Sequence, residues 1–417
     1  MPKTAILSAS MPKSSMFYGY KIAAAGFAIQ AVGIGVFITF GVFFKPMLAE
    51  LGWSRATLSA AQSLAIFSSG LLGILIGRLS DRYGPRLLMS VTGFFFGLGL
   101  LLMSGLNYVW QSYLFYGLFV GIGMSSVMIL PLSSVARWFS RRRGMITGIV
   151  KAGTGVGQFT IPLVASILIL SVGWRNSYII IGAAVMIVLI TAGQILRRNP
   201  ESMGLQVDGE TVSETTFSFP QESGFSMQKA MRGRQLWMIA ISLFAARFCM
   251  ASIMVHLIPH ATDIGISLAI AASILATIGG ISIAGRISIG YMVDRIGSRY
   301  SLVICLFLLI STTVFIQWVT DLWMFYLFAV VYGITHGGIT IIPSTFVADY
   351  FGIRSHGVLL GIVFFGGGLG AAIGSIVTGH IFDITGSYSL AFWVLTAFAT
   401  ISLVLLLPIG KPKTPAV

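Results

Sequence analysis

Long uninterrupted apolar runs separated by short polar breaks fill this chain from residue 18 to residue 409. A helix that crosses a bilayer needs about 20 such residues, so each run of that length predicts one span. Six runs precede the middle, at 18–44, 57–77, 87–106, 109–133, 145–170 and 175–196. Six more follow, at 236–261, 268–292, 300–319, 322–347, 357–381 and 388–409. None alternates apolar and polar residues over ten positions, which argues against a membrane β-barrel and for an all-α membrane protein of twelve transmembrane helices. The polar stretch 197–234, with five acidic and five basic residues, is the only segment long enough to link two bundles. The expected organisation is an N-terminal tail (1–16), a six-helix bundle (17–196), a linker (197–234), a second six-helix bundle (235–410) and a C-terminal tail (411–417).

Composition supports this and changes one point. Hydrophobic residues make up 56% and charged residues only 9%, against about a quarter charged in a soluble domain. Lipid must therefore cover most of the surface. The formal charge of +14 would suit nucleic acid, but its placement points elsewhere. With the N-terminus inside, inner loops and tails hold 20 of the 26 basic residues, and outer loops hold only Lys45, Arg55 and Arg175. That asymmetry is the positive-inside pattern. It predicts a multi-pass protein of the plasma (inner) membrane with both termini cytoplasmic, a lipid bilayer as partner and no nucleic acid. The polar tail 1–16, with Lys3 and Lys13, reads as cytoplasmic rather than as a cleaved signal. Cys249 and Cys305 sit in apolar runs, and no metal or cofactor pattern accompanies them. No GxSxG or other nucleophile–base constellation suggests catalysis, so no catalytic residue and no enzyme is expected.

The two halves repeat each other. Gly77, Asp81, Arg82, Gly84 and Arg86 recur 213 residues later as Gly290, Asp294, Arg295, Gly297 and Arg299. Gly144, Gly148, Gly153, Gly155 and Gly157 match Gly357, Gly361, Gly366, Gly368 and Gly370. A shared register that carries an Asp-Arg pair is strong evidence of duplication. Duplicated halves with a site between them are a transporter architecture. The small residues at every third or fourth position let helix backbones approach closely where the halves meet.

Three basic residues fall inside spans: Lys151, Arg247 and Arg286. An arginine at the bilayer centre costs about 2.5–3.5 kcal/mol on insertion scales, and the cheap remedy is an intramembrane acid. None is present, since all twelve Asp and Glu residues lie in loops or at span ends. Arg286 is therefore expected to face a wet cavity with its fork open to an anion, the alternative being helix-end carbonyls or Asp294. Lys151, two turns into its span, either snorkels to the surface or adds a second cation. Arg247 lies too deep to snorkel and binds substrate, a helix end or a carbonyl. His336 follows Tyr332 by one turn, and the pair either binds a carboxylate or packs; Tyr116 is the analogous residue of the first half. His256 and His260, at i and i+4, suit a proton-sensitive outer gate better than a metal, for which ligands are too few. Asp81 and Asp294, with neighbouring Arg82, Arg86, Arg295 and Arg299, are expected to brace the inner loops as a cytoplasmic gate.

The segment GRLSDRYGPR at 77–86, its copy at 290–299 and the twelve-span layout resemble the major facilitator superfamily over nearly the whole chain. FGVFFK at 40–45, LGWSR at 51–55, RWFSRRRG at 137–144 and AGR at 284–286 are most similar to its monocarboxylate and oxalate/formate transporter group. The resemblance implies the major facilitator fold, two pseudo-symmetric six-helix bundles, and makes Arg286 the anchor of a substrate carboxylate. It implies a secondary transporter of small organic anions, monocarboxylates such as lactate or pyruvate, working by alternating access with a proton or a counter-anion as partner. The chain departs from the group at Ser282, where some carriers have an aspartate, and at Ile38, where they have a lysine. It also has no Lys or Arg between Arg354 and Lys411. A dicarboxylate or oxalate/formate-type antiporter is the alternative, favoured if Lys151 and Arg286 face one cavity. A transporter-like membrane sensor is the reading of another class.

Overall fold

The computed structural model of the chain describes residues 17–209 and 224–410. The two terminal tails and linker residues 210–223, with the expectations placed on them, lie outside the described residues.

Among the described residues, eleven helices are long and apolar enough to cross a membrane. They are α1 (Tyr18–Leu51), α2 (Arg55–Tyr83), α3 (Pro85–Met103), α4 (Val109–Trp138), a 53-residue helix Arg143–Ile195, α7 (Arg234–Asp263), α8 (Leu268–Ile296), α9 (Ser298–Phe315), α10 (Leu322–Phe351), α11 (His356–Thr385) and α12 (Ser389–Leu406). The long helix is broken at Gly173, whose φ of 79° is open to glycine at little cost. The stretches 143–172 and 174–195 are α5 and α6, which completes twelve spans. The expected ends fall short mainly because the helices run several residues past the hydrocarbon zone. The segment 77–86 is the clearest case. It reads as a loop, yet Gly77 to Tyr83 is helical, and the turn is Gly84 alone, at φ 85°, with Pro85 opening α3. Proline suits a first helical turn, where its missing N–H costs nothing. Gly297, at φ 86°, makes the same turn between α8 and α9.

Helix starts repeat as well. Ser54 accepts a hydrogen bond from the N–H of Thr57, and Ser267 accepts one from Ile270. Each caps an otherwise orphaned donor of α2 or α8. Within α4, residues Tyr113–Val120 widen into a π-helical turn, a device that the hydrophobic pattern does not reveal.

Two apolar cores form. One runs from Ile22 to Leu196 and takes in Leu360 from the second half. The other runs from Ala230 to Ile409. Glycines set the close contacts within and between the bundles. A Cβ on Gly157 of α5 would strike the carbonyl of Ala31 in α1. Between the halves, a Cβ on Gly77 would strike the carbonyl of Gly357, and one on Gly144 that of Gly290. The linker ties down to both halves. Asp208 accepts from the backbone N–H groups of Ser140 and Arg141, and the N–H of Phe225 donates to the Phe351 carbonyl.

Gly157→Leu meets a backbone carbonyl that has no room to yield. It should destabilise the bundle by about 1–3 kcal/mol or more and lower Tm in detergent by several degrees. An unchanged Tm would show that α1 and α5 do not approach this closely.

Candidate functional site

The end where α1 begins and α12 finishes carries most of the described arginines, and we call it the basic end. Hydrogen bonds that cross between the halves cluster there. Asp81 of α2 accepts from the N–H groups of Gly357 (3.0 Å) and Val358 (3.1 Å) at the start of α11. Asp294 of α8 accepts from Gly144 (2.6 Å) and Met145 (2.8 Å) at the start of α5. Each carboxylate thus caps the N-terminus of a helix in the opposite half, where unpaired N–H groups and the helix dipole favour an anion. The two caps are pseudo-symmetry mates.

The arginines of this closure are not the expected ones. Arg137 of α4, nearly buried, pairs with Asp81 at 2.7 Å, and Arg143 reaches across to Asp349 at 3.3 Å. Arg82 instead lies over the Tyr83 ring and Arg295 over Tyr291. Arg86 donates to Gln194, and Arg299 donates to the Leu407 carbonyl. All four contacts stay within one half, because the motif is helical up to Gly84 and Gly297 and points these side chains away from the seam. His356, fully buried at the start of α11, adds a further bridge. Its Nδ1 lies 3.2 Å from the Ser133 hydroxyl of the first half, and its Nε2 lies 2.9 Å from the Ser344 carbonyl of the second.

Above this closure a cavity of about 500 Å³ separates the halves. Its walls come from α1, α2, α4 and α5 on one side and α7, α8, α10 and α11 on the other. Among the described residues, Lys151, Arg247, Arg286 and His336 all line it, and no Asp or Glu does. Exposed lining residues Ile38, Ile66 and Gln158 lie toward the end opposite the closure.

Arg286 is 2% exposed, and its Nε and Nη1 have no hydrogen-bond partner. Helix-end carbonyls and Asp294 therefore do not satisfy it; Asp294 is engaged at the basic end. The guanidinium lies over Gly155, where a Cβ would come within 2.7 Å of Nη1. The glycine of the first half makes room for the arginine of the second. Lys151 does not snorkel. It is 6% exposed, its Nζ donates to Gln30 Oε1 at 3.3 Å, and it lies 5.6 Å from the centre of the Phe364 ring. Arg247 is half-buried, its stem against Gly367. His336 lines the cavity with its buried Nδ1 unpartnered.

Tyr332 and Tyr116 are corrections. Neither lines the cavity. The Tyr332 hydroxyl donates to the Met250 carbonyl and that of Tyr116 to the Phe37 carbonyl, both at 2.9 Å. Each ring is buried against neighbouring aromatics, so these tyrosines lock helices within a half. His256 and His260 are placed differently too. His256 lies between the Tyr388 hydroxyl and the Ser375 carbonyl, and His260 packs against Phe325, Tyr388 and Phe392. Both sets of partners belong to the second half, so these histidines do not bridge to the first.

The residue that sequence reading missed is Gln30. It is fully buried in α1, its Nε2 donates to the Val127 carbonyl at 2.7 Å, and its Oε1 accepts from both Lys151 and Thr154. A lone amide deep in the first apolar run was the available signal, since polar residues inside membranes mark functional sites.

Two duplicated helical halves around a central cavity, shut at one end, define a solute-carrier scaffold. The chain belongs to the major facilitator superfamily, whose profile matches residues 24–304 and 283–417. It is 25% identical over 387 residues to monocarboxylate transporter 13 of Rattus norvegicus, covering 91% of this chain and 86% of that one. It is 26% identical to the uncharacterized transporter YhjX of Escherichia coli, covering 77% and 79%. Among solved structures, the human organic anion transporter MFSD10 matches with a TM-score of 0.74 at 15% identity over 93% of this chain and 99% of that one. The Escherichia coli fucose:proton symporter FucP matches with a TM-score of 0.67 at 13% identity, covering 91% and 97%. These likenesses show the fold.

Removing both caps, with Asp81→Asn and Asp294→Asn together, should loosen the basic end. A Ser133→Cys reporter behind the caps should then react with a polar maleimide at least tenfold faster, with Cys249 and Cys305 buried and silent. Equal labelling rates would show that the caps do not hold the halves together.

Proposed function

We propose that this transporter carries small organic anions through its membrane by alternating access, with Arg286 as the carboxylate anchor. One observation carries the reading: a buried guanidinium with two unpartnered N–H positions lines a central cavity that contains no acid. A carboxylate entering the cavity would meet this guanidinium in charge-assisted hydrogen bonds. Lys151, Arg247 and His336 complete the pocket. The relatives named monocarboxylate transporters and the organic anion transporter of similar fold support the same chemistry.

In this reading the basic end, following the positive-inside pattern, faces the cytoplasm, and the membrane is the plasma (inner) membrane. The described arrangement is then closed to the cytoplasm, and Asp81, Asp294, Arg137 and Arg143 form the cytoplasmic gate. With no acid in the lining, coupling falls to His336, to a proton carried with the substrate, or to a counter-anion. A monocarboxylate such as lactate or pyruvate needs only Arg286. The dicarboxylate reading is favoured by a specific observation, that Lys151 and Arg286 line one cavity.

Uptake of a panel of labelled carboxylates into proteoliposomes tests the anchor. Arg286→Ala should cut uptake at low substrate by about 30-fold or more, with normal insertion and an unaltered gel-filtration profile. Uptake at wild-type affinity in the variant would overturn the assignment.

A further inference from the structure

The cavity holds more positive charge and more apolar wall than a lactate-sized acid can use, and its second cation is held in a built setting. Lys151 and Gly155 are one turn apart on α5 and share a face, and the Arg286 guanidinium lies over Gly155. Residues spaced i and i+4 stand about 5–6 Å apart, so ammonium and guanidinium face one region from opposite halves of the protein. Gln30 gives Lys151 a neutral acceptor, and the Phe364 ring lies on another side. Neither carries a charge. The amine is thus positioned without a counter-charge, with N–H groups to spare. A carboxylate at position 30 would have neutralised it instead.

Around these cations the wall is apolar. Phe37, Met124, Met128, Ile339 and Phe364 all line the cavity. A volume of about 500 Å³ falls in the range of sites that enclose drug-sized ligands, roughly 300–1,000 Å³. A lactate or oxalate would leave most of it as water.

We propose that the cargo is an organic dianion with an apolar body, a 1,4- or 1,5-dicarboxylate bearing an aromatic or branched substituent, with one carboxylate on Arg286 and the other on Lys151. This deepens the carboxylate reading and rests on it. Bound so, the cargo ties α5 of one half to α8 of the other. Its two charges answer two of the three cations, and its body replaces water against the apolar wall. Gln30 is the positioning residue that sets the charge preference.

The test uses the purified full chain and four acids that separate charge from body: phenylsuccinate, 3-phenylpropionate, succinate and lactate. Dissociation constants are read by thermal shift or calorimetry near neutral pH. Phenylsuccinate should bind at least tenfold more tightly than either 3-phenylpropionate or succinate, and lactate most weakly. Gln30→Glu, which pairs Lys151 internally, and Lys151→Met should each collapse the ratio between phenylsuccinate and 3-phenylpropionate to about one. Equal wild-type binding of those two acids, or an intact ratio in Lys151→Met, overturns the dianion. Succinate binding as tightly as phenylsuccinate overturns the apolar body. If none of the four acids binds the wild type, the carboxylate reading fails as well; if phenylsuccinate binds and that binding survives Arg286→Ala, the anchor is rejected rather than the second site. The wild-type comparison needs no variant to fold.

Discussion

Positive charge without an acid beside it, placed between two helical bundles in the hydrocarbon zone, is the constraint on which this protein turns. Each such cation costs several kcal/mol in lipid, and the fold meets that cost with space rather than with a counter-charge. Arg286 keeps two N–H positions unpartnered, and the missing side chain at Gly155 leaves room for its guanidinium. Lys151 lies against an amide and an aromatic face. The result is a cationic chamber between the halves, which under the proposed function is completed by a bound anion.

The scaffold is symmetric and the site is not. Asp81 and Asp294 cap helices of the opposite half with the same geometry, and Ser54 with Ser267 and Gly84 with Gly297 shape the same helix ends. Such symmetry suits a closure that must release on both seams together. In the repeat register the counterparts of Lys151, Arg247 and Arg286 are Phe364, Ile34 and Gly73. All three counterparts line the cavity too. Each cation therefore looks across at an uncharged mate, and in the case of Lys151 the mate is the ring beside its ammonium. Duplication built the moving parts, and divergence at three positions built the chemistry.

The spans, the duplicated halves and the buried cations were legible because each follows from a local property: run length, register, or a charge in an apolar stretch. The partners of those cations were not. Arg137 and Arg143 lie in a basic run that reads as a solvated inner loop, yet they reach Asp81 and Asp349, the second of these across the seam. His356 looks like a loop histidine and is a buried bridge between Ser133 and Ser344. Tyr332 sits one turn from His336, as expected, but its hydroxyl turns to the Met250 carbonyl and leaves the cavity to the histidine. Spacing along one helix does not say which neighbour a polar atom will find. That is decided by packing between helices far apart in sequence.

Under the proposed function, a bound organic anion completes the cavity cations. The most direct measurement is anomalous scattering from crystals of the protein soaked with a brominated aromatic dicarboxylate. A bromine peak is expected against the Phe37–Met128 wall, with one carboxylate within about 3 Å of the Arg286 guanidinium and the other toward Lys151. A saturated crystal with an empty cavity, or with Arg286 turned onto backbone carbonyls and the anion bound elsewhere, would contradict it.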